Sequence, residues 1–158
     1  MFCYQCEETG KGKGCTKAGV CGKQGEVADL QDLLIYLMKV MSICNTKSRE
    51  SGKYNEKVDK LIMEGLFSTI TNANFDKKHF LGNIHQALKI RDELKDENFV
   101  QNTHDSITWH PRDEEEIMKK AEEVGVLNTK NEDIRSLREL FTYGLKGIAA
   151  YYHHAYVL

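Results

Sequence analysis

Apolar residues recur every three or four positions through most of the chain, a spacing typical of amphipathic helices. The first such stretch, residues 26–50, places its apolar residues on one predicted face: Val27, Leu30, Leu34, Leu37, Met41 and Cys44. Gly52 is expected to end this helix. The same reasoning predicts helices at about 55–70, 77–97 and 112–125, and a last helix from about 132 to 158. The pattern therefore predicts an all-α fold.

These elements divide the chain into four predicted parts. Residues 1–25 form a Cys-rich loop without helical or strand periodicity, and residues 26–97 form a three-helix bundle. Residues 98–131 form a connector with a short helix. Residues 132–158 form the first helix of a second, repeated bundle.

The repeat is visible in the sequence itself. Six residues of the first helix match six of the last at a constant offset: Val27, Leu30, Asp32, Leu33, Tyr36 and Lys39 against Ile134, Leu137, Glu139, Leu140, Tyr143 and Lys146. Each set is expected to open a three-helix unit with its leucines facing inward. The second unit has only its first helix in this sequence, so we interpret the chain as a truncation and expect a homodimer through the exposed last helix.

Several conspicuous residues are predicted to be structural. Met38, Met41 and Cys44 continue an apolar stripe and are expected in the core. Gly65, in the middle of a helix, is expected where another element packs closely. Metal binding is not expected at the histidines or at the acidic cluster, because their spacing does not bring side chains together: His79, His85, His153, His154 and residues 113–116.

The candidate chemistry lies in the loop 1–25. Its cysteines follow the spacing Cys-x2-Cys-x8-Cys-x5-Cys, formed by Cys3, Cys6, Cys15 and Cys21. Four thiolates are typical of iron–sulfur clusters and of structural zinc. The unequal second spacing favours a cluster, with zinc as the alternative. A disulfide framework is disfavoured, because no secretory signal precedes Cys3 and a fifth cysteine is left over.

Composition narrows the classes of partner. The formal net charge is −2 and the isoelectric point is near 6.3, so the chain lacks the overall positive charge that is typical of nucleic-acid-binding proteins. No nucleic-acid partner is therefore expected. No apolar run approaches the ~18 residues of a membrane span, so we expect a cytoplasmic protein with no membrane partner.

The cysteine motif and its flanks resemble the N-terminus of the hybrid-cluster proteins, also called hydroxylamine reductases or prismane proteins. The opening is Met1-Phe2-Cys3-Tyr4-Gln5-Cys6-Glu7-Glu8-Thr9, followed by Gly14-Cys15-Thr16-Lys17 and Gly19-Val20-Cys21-Gly22-Lys23. Residues 30–36, 64–75, 133–140 and 143–150 agree as well, so the resemblance spans the chain.

The resemblance implies a [4Fe-4S] cluster on Cys3, Cys6, Cys15 and Cys21, because the compact spacing is similar to the anaerobe type of this family. It also implies two tandem three-helix bundles. Family members are several times longer and hold their hybrid cluster in later domains. We therefore expect an electron-transfer domain that relays electrons to a hybrid cluster absent from this chain, and no catalytic residue within it. The expected partners are an electron donor protein and the remaining catalytic domains of the parent enzyme. A zinc-stabilised helical interaction module is the alternative.

Overall fold

The computed structural model of the chain describes residues 1–70, 73–94 and 105–158. Within them the fold is all-α, as predicted, and it holds no β-strand. The helices are α1 (Gly25–Glu50), α2 (Glu56–Ser68), α3 (Lys77–Leu94), α4 (Asp105–Thr108), α5 (Glu114–Glu123) and α6 (Glu132–Val157). The last residues of the predicted third helix, 95–97, and part of the predicted connector, 98–104, lie outside the described residues, as do Thr71 and Asn72.

The helix ends follow local rules. Gly52, with φ +76°, follows the last turn of α1, as expected for a left-handed position that favours glycine. Asn55 caps α2, where its side chain accepts from the N–H groups of Lys57 and Val58. Asp113 and Asn131 cap α5 and α6 in the same way.

Helix α1 is the centre of the fold. It packs against α3, α2 and α5. Because it has neighbours on several sides, it buries more than the predicted face: Leu33, Ile35, Met38 and Val40 are buried together with the expected stripe. Cys44 is 1% exposed and packs with Val40 and Ile107, which confirms its place in the core.

Arg91 attaches the segment after α3 to the bundle. Its side chain is fully buried, and its guanidinium donates to the carbonyl oxygens of Ser106 (2.6 Å) and Trp109 (2.7 Å). The Asp92 carboxylate supplies the opposite charge at 2.9 Å. These bonds hold α4 and the start of the α5 segment against the end of α3.

Helix α6 packs along α2. It begins 107 residues after α1 begins and ends 107 residues after α1 ends, so the helix bounds follow the sequence repeat. The face that it buries carries Thr142, Lys146 and Ala149. Its large apolar residues Leu137, Leu140, Phe141 and Ile148 are 65 to 69% exposed.

Among the helices of the described residues, none combines the length and the apolar character needed to cross a membrane.

Candidate metal centre

The loop 1–25 is closed by a short backbone pairing between two of the predicted ligands. The Cys3 N–H donates to the Cys15 carbonyl (3.0 Å), and the Cys15 N–H donates to the Cys3 carbonyl (2.8 Å). This is an antiparallel bridge, in which directly opposed side chains lie on the same face. The pairing therefore brings the first and third cysteines of the motif to one side of the loop.

The turn between these cysteines aims donors at Cys15. Residues 10–12 form a 3-10 turn, with φ +55° at Lys11 and +67° at Gly12. In this turn the Gly10 N–H donates to the Cys15 sulfur at 3.3 Å, and the Thr9 hydroxyl lies 3.9 Å from the same atom. Hydrogen bonds from the backbone of Val20 and then of Gly10 lower the pKa of the Cys15 thiol. The site therefore favours a thiolate at Cys15.

The second half of the loop holds Cys21 at the surface. The Gly22 N–H donates to the Gly19 carbonyl (2.9 Å), and the Gly19 N–H donates to the Lys23 carbonyl (2.8 Å). A Cβ on Gly19 would lie 2.9 Å from the Cys21 sulfur, so any larger residue there would require this thiol to move. Cys21 is exposed, whereas Cys3 and Cys6 are half-buried and Cys15 is buried.

The hydrogen-bond donors around the loop cysteines suit a metal centre whose ligands are negatively charged thiolates. N–H and O–H groups that point at a sulfur are one of the means by which proteins hold iron–sulfur clusters and set their potential. Within the described residues, no three His, Cys, Asp or Glu side chains are grouped closely enough to hold a single metal ion. The fit therefore rests on the donors around Cys15 and on the shared face of Cys3 and Cys15.

Polar residues of α1 bind both ends of the loop. The α-amino group of Met1 pairs with the Asp29 carboxylate at 3.1 Å. The buried Lys23 donates to the Gln31 side chain at 2.8 Å, and Gln31 in turn donates to the Asn74 carbonyl at 3.2 Å. The start and the end of the loop are thus tied to the same helix.

Helix α6 contributes the remaining support. Its Lys146 is 4% exposed and donates to the Thr69 carbonyl (3.1 Å) and to the Gln5 side chain (3.3 Å). Burial lowers the pKa of Lys146 to about 8, against the opposing charges of Asp32, Glu139 and Cys3. Burial also raises the pKa of Asp32 to about 7, with Lys146 opposing the shift. The charges of Lys146 and Asp32 therefore stabilise each other.

Tyr143 lies one helical turn before Lys146 on α6. Its ring centroid is 6.1 Å from that of Tyr4. Its hydroxyl is buried and has no partner in hydrogen-bonding geometry among the described residues. Burial raises the pKa of Tyr143, so the phenol keeps its proton and remains a donor beside the loop.

The assignment of the four cysteines as ligands stays a prediction, and the sequence did not indicate which residues of the helices would contact the loop. The backbone bridge pairs Cys3 with Cys15, while the four thiols together form no group tight enough for one ion. The contacts of Gln31, Tyr143 and Lys146 with the loop were not predicted. The repeat had marked Tyr143 and Lys146 as matched positions, but only the fold shows that they contact Tyr4 and Gln5 of the loop.

The four histidines named above lie on helices, and the acidic cluster lies at the start of α5, all of them outside the loop 1–25. His79 and His85 are exposed on α3. The rings of His153 and His154 lie 4.9 and 6.2 Å from that of Phe67. Residues 114–116 form the acidic first turn of α5.

Comparison with known proteins gives a consistent result along the whole chain. The Prismane/CO dehydrogenase family matches residues 1–158. Proteins named hydroxylamine reductase are similar to the chain over its full length: 53% identical in Desulfitobacterium hafniense strain DSM 10664 / DCB-2, 54% in Clostridium novyi strain NT and 53% in Thermoanaerobacter pseudethanolicus strain ATCC 33223 / 39E. The chain spans 30% of the length of each of these relatives.

Proposed function

The chain belongs to the Prismane/CO dehydrogenase family, and on that basis we propose that its loop 1–25 holds a [4Fe-4S] cluster on Cys3, Cys6, Cys15 and Cys21. We propose that it serves as the N-terminal electron-transfer part of a hydroxylamine reductase-like enzyme. The hydroxylamine reductases that it matches are much longer, so the activity of the whole enzyme is part of this proposal.

The observation that carries the proposal is the environment of Cys15. A backbone N–H donates at 3.3 Å to a sulfur that the bridge places on the same face as Cys3, and the Thr9 hydroxyl, which donates to the Cys3 carbonyl at 3.1 Å, lies 3.9 Å from that sulfur. A buried thiol in a structural core has no need of such donors, whereas a thiolate ligand gains from them. The exposed position of Cys21 leaves one edge of the site near solvent, where an electron donor protein can approach.

When bound, the cluster would supply one-electron transfer. The residues of this chain would ligate it, neutralise part of its charge and limit its contact with water. Cys15 and Cys3 lie on the sheltered side, and the buried ammonium groups of Lys23 and Lys146 lie below. We assign no catalytic residue to this chain, and we propose that the reduction itself takes place on domains beyond it.

Anaerobic purification tests the proposal directly. The protein should be brown, with broad visible thiolate-to-iron absorption and about four iron and four sulfide per chain. Colourless protein that holds one zinc would favour the alternative, a zinc-stabilised helical module without a redox role.

Substitutions at Cys15 and at Cys44 provide a test variant and its matched control. Cys15→Ser should abolish the visible absorption and leave the helical circular dichroism largely intact, because the core of α1, α2 and α3 does not involve the loop. Cys44→Ala removes a cysteine from the core and should keep the colour. Loss of colour in the Cys44 variant alone would contradict the ligand assignment.

Location remains a prediction. Reduced thiols in the loop and in the core suit a reducing compartment, and we propose the cytoplasm.

A further inference from the structure

Lys146 occupies a position that lysine seldom takes. Lysine is almost never fully buried unless it is paired, yet this side chain is 4% exposed. Its ammonium group donates hydrogen bonds to two oxygen atoms, the Thr69 carbonyl oxygen at the end of α2 and the side-chain oxygen of Gln5. Gln5 lies between Cys3 and Cys6, so a charge from the far end of the chain is fixed directly against the loop.

The repeat offers a comparison within the same molecule. Lys39 is the matching residue of α1, at the same position along its helix, and it is exposed. The same residue type at the same helical position is therefore buried only where the cysteine loop lies beside it. Helix packing by itself does not explain the burial of Lys146.

The charges around Lys146 define its effect. The charge of Lys146 interacts favourably with the carboxylates of Asp32 and Glu139 and with the thiolate of Cys3. The nearby cation Lys23 interacts with it unfavourably. An electron added to a metal centre in the loop adds one more negative charge. In an environment of low dielectric constant such a charge is stabilised by a fixed cation nearby and destabilised by a fixed anion.

We propose that Lys146 is a positioning residue that raises the reduction potential of the metal centre in loop 1–25, through its buried ammonium held against Gln5. This inference rests on the proposed function. Asp32, whose negative charge interacts with the charge of Lys146, acts in the opposite direction and lowers the potential.

The test is a redox titration of the reconstituted 158-residue chain with dithionite at pH 7.5, followed by electron paramagnetic resonance and visible absorption. Lys146→Met keeps the length of the side chain and removes its charge, and it should shift the midpoint potential to a more negative value. Asp32→Asn should shift it to a more positive value. Lys39→Met is the matched control and should leave the potential unchanged.

Opposite shifts distinguish a charge effect from a general disturbance of the loop, which would not change sign between the two variants. Equal potentials in all four proteins would overturn the inference and leave the proposed function standing. If Lys146→Met loses its helical circular dichroism, the Asp32 variant decides, and the absence of a positive shift there overturns the inference. If the unmodified chain takes up no iron and sulfide, the proposed function fails, and this inference fails with it.

Discussion

At the scale of single residues, Cys15 and Cys21 show how differently two members of one motif are held. Cys15 is buried beneath a turn that directs the Gly10 N–H at its sulfur, while Cys21 is exposed beside a glycine. Gly10 and Gly19 let the backbone pass close to these two sulfurs. The sequence could not indicate which glycine lies beside which cysteine, since that depends on the path of the loop.

Gly19 and Gly10 allow a direct test of this closeness. A Cβ at Gly19 would meet the Cys21 sulfur at 2.9 Å, whereas at Gly10 it would meet the Cys15 sulfur at 3.8 Å, an ordinary contact. Gly19→Ala should therefore displace the Cys21 thiol and lower the iron and sulfide content after reconstitution. Gly10→Ala keeps its N–H donor and should load normally. Equal loading of the two variants, measured by metal analysis, would show that the position of Cys21 is not critical.

Asp32 provides a test of the buried charges in the metal-free protein. Its folded pKa of about 7 lies above the unfolded value of 3.8, so between these values the folded state binds more protons than the unfolded state. Stability should therefore fall as pH rises from about 4 to about 7. At about 1.4 kcal/mol per pKa unit, and with Asp32 only half-buried, its share is about 1–3 kcal/mol.

Asp32→Asn should flatten this part of the curve, measured by urea unfolding across the pH range. Asp29 and Glu139 also have raised pKa values because they are buried, so part of the decline should remain. Glu115→Gln, on the exposed side of α5, is the control and should follow the unmodified chain. A curve for Asp32→Asn as steep as that of the unmodified chain would contradict the assignment.

At the scale of elements, the spacing of apolar residues predicted which segments are helices. It did not predict what packs around each helix. Five predicted helices are present with bounds close to those expected, and Gly52 follows the end of α1 as predicted. The breadth of burial on α1 was missed, because a single stripe does not reveal that a helix is central. The role of Arg91 was missed for a similar reason, since its acceptors are carbonyl groups that leave no mark in the sequence.

Gly65 on α2 is where the sequence correctly predicted close packing. A Cβ there would meet the Met38 sulfur of α1 at 2.8 Å. Gly65→Ala should therefore lose the gain of about 1 kcal/mol that alanine usually brings to a helix and destabilise the fold by about 1–2 kcal/mol through overpacking. Gly82, on the exposed side of α3, has open space around it, so Gly82→Ala should stabilise. Thermal unfolding of both variants gives the comparison, and a higher melting temperature for Gly65→Ala would refute the packing argument.

At the scale of the whole molecule, the repeat places two equivalent helices in unequal surroundings. Helix α1 is enclosed by α2, α3 and α5, whereas the main helix partner of α6 in the described part of the chain is α2. The sequence predicted the apolar side of α6, and the structure leaves that side outward and buries the one with Thr142 and Lys146. The reason is physical: Lys146 finds acceptors at Gln5 and Thr69, so the polar side docks on the loop and on α2.

The outward face of α6, formed by Leu137, Leu140, Phe141 and Ile148, is 65 to 69% exposed at every position. A contiguous apolar patch of roughly several hundred Å² is more than a monomer usually leaves in water. We expect the 158-residue chain to form a two-fold dimer through this face, observed by light scattering as a mass that rises with concentration up to about tens of micromolar. Phe141→Lys should restore the monomer without disturbing the buried side of the helix, while Gln86→Lys adds the same charge on exposed α3 and should remain dimeric. A monomeric unmodified chain throughout that range would exclude the dimer and leave the face available for helices that follow in longer members of the family.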